Sequence, residues 1–102
     1  MSDSSDLRSM VLLNLQGAML GEVFPKLRSV TCSWTSTEID IRAIVDGEID
    51  DDDTDSIECM HTEMIASLPE HFKVNVECVR IDSPLPYNNE LLTACVYARR
   101  EG

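Results

Sequence analysis

The sequence has 102 residues (11.4 kDa), with 19 Asp+Glu against 8 Lys+Arg, a formal net charge of -11 and a pI near 4.3. That balance repels phosphate backbones and anionic membranes and argues against direct nucleic-acid binding, where affinity comes largely from Lys and Arg neutralising phosphates. A hydrophobic share of 43% sets the chain apart from a disordered acidic tail, and the length fits one domain, residues 1–102, that can bury a core without metal or disulfide staples.

No stretch approaches the ~20 apolar residues that span a bilayer. The first residues, Met1-Ser2-Asp3-Ser4-Ser5-Asp6, are acidic where a signal peptide is positive, so the sequence reads as cytoplasmic. Cys32, Cys59, Cys78 and Cys95 are widely spaced, with no Cys-x-x-Cys pair, and read as reduced thiols packed as small hydrophobes.

In chain order, Ser4 or Ser5 is the expected N-cap of a first helix, with Asp6 in its first turn. Leu7, Met10, Val11, Leu15, Ala18 and Met19 recur at helical spacing, and Leu12, Leu13 and Leu20 widen the apolar face. Gly21 ends the helix, with Pro25 shortly beyond. From Leu27 the period becomes alternating: Val30, Cys32 and Trp34 face one way, and Ser29, Thr31 and Ser33 the other. Thr35-Ser36-Thr37 is a turn, after which Ile39, Ile41, Ala43 and Val45 mark a second strand that closes a hairpin with the first. Its polar outer face implies a sheet covered on one side.

The stretch Asp46 to Glu58 holds eight carboxylates and neither Lys nor Arg. It leads into a second helix over about Asp53–Leu68, with Ile57, Met60, Met64, Ile65 and Leu68 turned inward and Pro69 as its stop. Phe72, Val74, Val76 and Cys78 line one face of a third strand. The apolar parity shifts at Val79-Arg80-Ile81, which predicts a bulge or bend. Ser83 to Asn89 is a loop. Glu90 to Arg99 forms the last strand, with Leu92, Ala94, Val96 and Ala98 inward and Leu91, Cys95 and Tyr97 outward. The expected fold is α+β, order α-β-β-α-β-β: a four-stranded, mainly antiparallel sheet with two helices on one face and each strand pair a hairpin.

The chemistry of catalysis is thinly represented. Cys59-Met60-His61-Thr62-Glu63 brings a thiol, an imidazole and a carboxylate together in sequence, but a helix spreads positions two apart around its axis, so neither a metal site nor a Cys-His hydrolase is supported. As a calcium loop, the acidic run fails in both registers. From Asp46 the sixth and twelfth positions are Asp51 and Ile57, and from Asp50 they are Asp55 and His61, where Gly and Glu are required. No phosphate-binding glycine loop is present. The expectation is a chain with no enzyme activity, cofactor or metal.

Phe24-Pro25-Lys26-Leu27-Arg28-Ser29-Val30, Val45-Asp46-Gly47-Glu48-Ile49, Thr62-Glu63-Met64-Ile65-Ala66 and Val96-Tyr97-Ala98-Arg99-Arg100 together give the chain a family likeness. Over about Leu13 to Arg100 it resembles the small bacterial immunity proteins that partner contact-dependent growth inhibition toxins and similar polymorphic toxins. The resemblance implies a non-enzymatic antidote that binds the C-terminal toxin domain of a delivered effector, often an RNase acting on tRNA, in the cytoplasm. The chain departs from the family in the density of acid after Asp46-Gly47. A nuclease carries basic groups around its phosphate site, so carboxylates give its inhibitor on-rate and specificity. The expected toxin-binding residues are therefore Asp46, Glu48, Asp50, Asp51, Asp52, Asp53, Asp55 and Glu58, with Trp34 and Tyr97 as aromatic anchors. The competing expectation is an adaptor or homodimer joined through the outer face around Leu91, Cys95 and Tyr97.

Overall fold

The computed structural model describes residues 3–101. In it, helix α1 (Asp3–Met19) precedes strands β1 (Leu27–Trp34) and β2 (Glu38–Val45), helix α2 (Asp51–Ser67), strand β3 (Lys73–Arg80), a 3-10 turn at Asn88–Glu90 and strand β4 (Ala94–Ala98). The order of elements is the expected one. Because α1 already includes Ser4 and Ser5, these residues lie inside the helix and do not cap it. Gly21, at φ +81°, supplies the left-handed residue that turns the chain after α1.

The sheet order is β3-β2-β1-β4, and the sheet is mixed. β1 pairs antiparallel with both β2 and β4, while β3 runs parallel to β2. The second hairpin expected from sequence is thus replaced by a β2-α2-β3 unit, in which a 17-residue helix is long enough to carry the chain back to start a parallel neighbour. β3 and β4 occupy opposite edges, and residues 81–93 connect them across the sheet. At about 4.8 Å per strand step the width to cross is only ~14 Å, well within the reach of that segment.

Both helices lie in one layer on the sheet. Their buried residues Val11, Leu15, Ala18, Met19, Ile57, Met60 and Met64 form one core with Leu27, Val30, Cys32, Ile39, Ile41, Ala43 and Val74. Each fully buried aliphatic side chain of this kind contributes about 1.5–3 kcal/mol. Three residues assigned inward by periodicity face solvent instead: Leu13, Leu20 and Ile65. The helices need only a narrow stripe against the sheet and each other, so the remaining apolar positions stay outside.

The other face of the sheet is also covered at its centre, contrary to the one-sided expectation. Arg28, Ser29 and Thr31 are buried beneath the 81–93 connection. Leu92 N–H donates to Thr31 Oγ1 at 3.1 Å, and Arg42 Nη1 donates to the Glu90 carbonyl at 3.0 Å. Arg28 fastens this cover. Its Nη1 donates to the carbonyls of Ile81 and Leu85, both at 2.8 Å; Nε and Nη2 grip the Glu101 carboxylate at 2.8 and 2.9 Å; and the guanidinium lies 4.5 Å from the Tyr87 ring centre.

The predicted irregularity at Val79–Ile81 is absent, since β3 keeps one register from Lys73 to Arg80. Bulges fall elsewhere: one on β1, between Leu27 and Ser29 against β2, and one on β4, where its pairing with β1 shifts between Val30 and Thr31. The second places Thr31 opposite Cys95 but Val30 opposite Tyr97, so Val96 is the extra residue and the faces of β4 exchange there. Tyr97 therefore packs against the helix-side core and Ala98 is exposed, the reverse of the expected alternation. Leu91, Cys95 and Tyr97 consequently do not share one outer face.

Replacing Arg28 with Ala strands two carbonyls and a carboxylate, and should lower the unfolding free energy by about 3 kcal/mol in urea titrations. Arg28, then Arg99, holds the Glu101 carboxyl down at about 2 from an ordinary 4.5. A depressed carboxyl stabilises the fold above its unfolded pKa, and that contribution is lost as acid is added, between pH 4.5 and about 2. Glu101→Gln should accordingly lower stability at neutral pH and flatten the decline of the urea midpoint across that window.

Candidate partner-binding surface

Helix α2 begins where the sequence concentrates its acid, and the fold divides these carboxylates into two groups. Asp50 is the N-cap: its Oδ1 accepts from Asp53 N–H at 2.9 Å, while Asp53 Oδ2 accepts from Asp50 N–H at 3.4 Å, forming a reciprocal capping box. Lys26, just before β1, completes the arrangement. Its Nζ lies 3.2 Å from Asp50 and 3.1 Å from Asp53, and donates to the Glu48 carbonyl at 2.8 Å. Asp53 is buried, so this cation answers an otherwise enclosed charge. The Asp53 and Asp50 carboxylates raise the Lys26 pKa; the Asp53 N–H and Lys26 lower that of Asp50.

Asp46 belongs to the same inner group. It accepts from Ser83 N–H at 3.0 Å and pairs with Arg99 at 3.1 Å, and both interactions lower its pKa. Beside it Gly47, at φ +87°, turns the chain so that its N–H donates to Asp82 at 2.8 Å. Asp46, Asp50 and Asp53 thus join the start of α2 to β1, to the 81–93 connection and to the residues after β4.

Glu48, Asp51, Asp52, Asp55 and Glu58 form the second group. All five are exposed, and among the described residues none lies within ion-pair distance of a Lys or Arg. Glu58 and Asp55 continue into a shallow depression with Glu22, Cys59, Thr62 and Glu63. Glu22 foremost, then slight desolvation and the other acids, pushes the Cys59 thiol pKa up, which leaves a neutral and weakly nucleophilic sulfur. His61 is engaged elsewhere, its Nε2–H donating to the Val74 carbonyl at 2.8 Å. Cys59 and His61 therefore do not form a thiol-imidazole pair. Among the described residues no cluster of three His, Cys, Asp or Glu is arranged to hold a metal. All four cysteines are free thiols; burial pushes Cys32 up to about 11.

The aromatic residues stand apart from the acids. Trp34 closes the far end of β1, roughly 20 Å along the strand from Leu27, where it packs part-buried against the core with Arg8 5.7 Å from its ring centre. Tyr97 is part-buried on β4, at the sheet edge remote from β3. The acidic segment is evident in the sequence, but its countercharges, Lys26 and Arg99, are brought to it only by the fold. The available signal was the i, i+3 spacing of Asp50 and Asp53, which marks a capping box and so identifies acids occupied within the fold.

The two groups should separate by stability. Asp53→Ala breaks the box and is expected to cost about 1 kcal/mol, whereas Asp51→Asn and Asp52→Asn should stay within about 0.5 kcal/mol of the parent; thermal or urea unfolding compares them directly.

Among the described residues no helix is long and apolar enough to cross a membrane. No curated protein matches the chain. The profile of the MafI2 immunity protein family matches residues 8–101, which takes in every strand, the whole of α2 and all but the first five residues of α1. The chain belongs to the MafI2 immunity protein family.

Proposed function

We propose that this immunity protein neutralises the C-terminal toxin domain of a contact-dependent growth inhibition effector, a basic nuclease of the tRNA-cleaving kind, by stoichiometric binding in the cytoplasm. One observation carries the reading: at the start of α2 three carboxylates are tied into the fold while five neighbours are left exposed and unpaired. The helix dipole favours Asp51 and Asp52 in the first turn, but Glu48, Asp55 and Glu58 have no countercharge in the fold, and the mutual repulsion of the five is relieved by a basic partner. A nuclease offers such a partner, because its phosphate site is built from Lys, Arg and His.

On this reading Glu48, Asp51, Asp52, Asp55 and Glu58 meet the toxin, and Asp46, Asp50 and Asp53 fix the backbone that presents them. Trp34 and Tyr97 are proposed anchors for a partner broad enough to reach the α1 side of the helix layer, where desolvated aromatic contacts supply affinity that exposed charges do not. The chain acts as one domain and performs no chemistry; occupation of the toxin surface is the whole mechanism.

The test is to identify an effector gene adjacent to this one, co-purify its C-terminal toxin domain with the chain, and follow association kinetics. Replacing Asp51, Asp52 and Asp55 with Asn and Glu58 with Gln should slow association about tenfold or more at low salt, with much less effect at high salt. Failure to bind that domain would refute the reading, and unchanged association would remove the acidic segment from it.

A further inference from the structure

Strand β3 ends the sheet, and half of its backbone faces away from β2. In the parallel pair the N–H groups of Lys73 and Ile81 donate to Thr37 and Val45 of the β2 side, each at 2.9 Å. The odd-numbered residues of β3 therefore turn toward β2, and the N–H and C=O groups of Val74, Val76, Cys78 and Arg80 turn outward. At Val74 the carbonyl is taken by His61 of α2. Among the described residues nothing bonds the outward backbone groups of Val76, Cys78 and Arg80. These three residues present an open ladder, of the kind natural sheets usually pair, cover or interrupt.

A groove runs beside this ladder, between β3 and α2. Ile49, Ile57, Val76 and Cys78 supply its apolar floor, with Thr54, Glu58 and His61 along the α2 side. Asp51, Thr54, Glu58 and His61 follow one another at helical spacing on that flank, so exposed carboxylates overlook the groove while its bottom is hydrophobic.

We infer that the β3 edge binds an extended, basic segment of the toxin by strand addition, with backbone pairing at Val76, Cys78 and Arg80, one apolar side chain in the Ile49–Ile57 groove, and Lys or Arg beside Asp51 and Glu58. This deepens the toxin-binding reading and rests on it. Charge selects the occupant: a second copy of the chain paired edge to edge would set two acidic α2 flanks together, each on a molecule of net charge -11, whereas a basic strand relieves both the open ladder and the unpaired acids.

Amide exchange followed by NMR on the full chain, free and bound to a catalytically inactive form of the toxin domain identified by that co-purification, tests this. In the complex the amides of Val76, Cys78 and Arg80 should exchange about a hundredfold more slowly than in the free protein, while Asn75, Glu77 and Val79, already paired with β2, change little. Thr54→Arg, an exposed helix substitution that places bulk and positive charge at the groove, should weaken the complex about tenfold or more with unchanged circular dichroism. A complex that forms while the three amides exchange as in the free chain would overturn strand addition and leave the immunity reading standing. Absence of any complex would sink both. Protection that grows with concentration of the immunity protein alone would overturn it in favour of self-pairing.

Discussion

Arg28 is the interaction on which the architecture depends. It is a guanidinium buried near the start of the inner strand β1, and it is tolerated there because its donors meet two carbonyls and a carboxylate while its face meets Tyr87. Without those partners the charge would be expelled and the 81–93 connection would lose its attachment to the sheet. Arg99 extends the arrangement by joining Glu101 to Asp46, which in turn holds Ser83. One connected set of charges thus binds β1, the crossing segment, the residues after β4 and the approach to α2.

That set also explains how a strongly acidic stretch can begin a helix without destabilising it. Lys26 and Arg99 answer the inner carboxylates, and the dipole of α2 favours the acids of its first turn. Four of the five remaining acids stand on α2 itself, so little backbone ordering is required when a partner arrives. Position, more than number, separates the acids that build the surface from those that display it.

Much of this was readable from periodicity. The two helices and the first three strands announce themselves through apolar spacing and through Gly21, Gly47 and Pro69. The pairing of β3 and β4 was not readable, because alternation reports faces and says nothing of neighbours; a hairpin and a crossing segment look alike in sequence when the connection is rich in Pro and Asn. The inversion at Val96 was hidden for a related reason, since both parities of β4 carry apolar residues. Arg28 was equally silent: a lone Arg in a strand reads as an exposed position until Glu101, distant in sequence, is placed against it. Among the acids, Asp50 and Asp53 carried a legible capping signal, while the exposure of Asp51 and Asp52 depended on which way the helix rolled onto the sheet.

The pairing of β1 with β4 has a kinetic side. The central strand is bordered on one flank by a neighbour reached through a tight turn, but on the other by a strand some seventy residues later, and the contact sealing it, Arg28 to Glu101, closes a separation of 73 positions. Loop-closure entropy is met before that contact repays it, so the β1–β4 pairing is costlier to initiate than the tight-turn pairing of β1 with β2. A chain that has formed only β1, β2 and α2 leaves one flank of β1 open, and β4 is the strand that closes it.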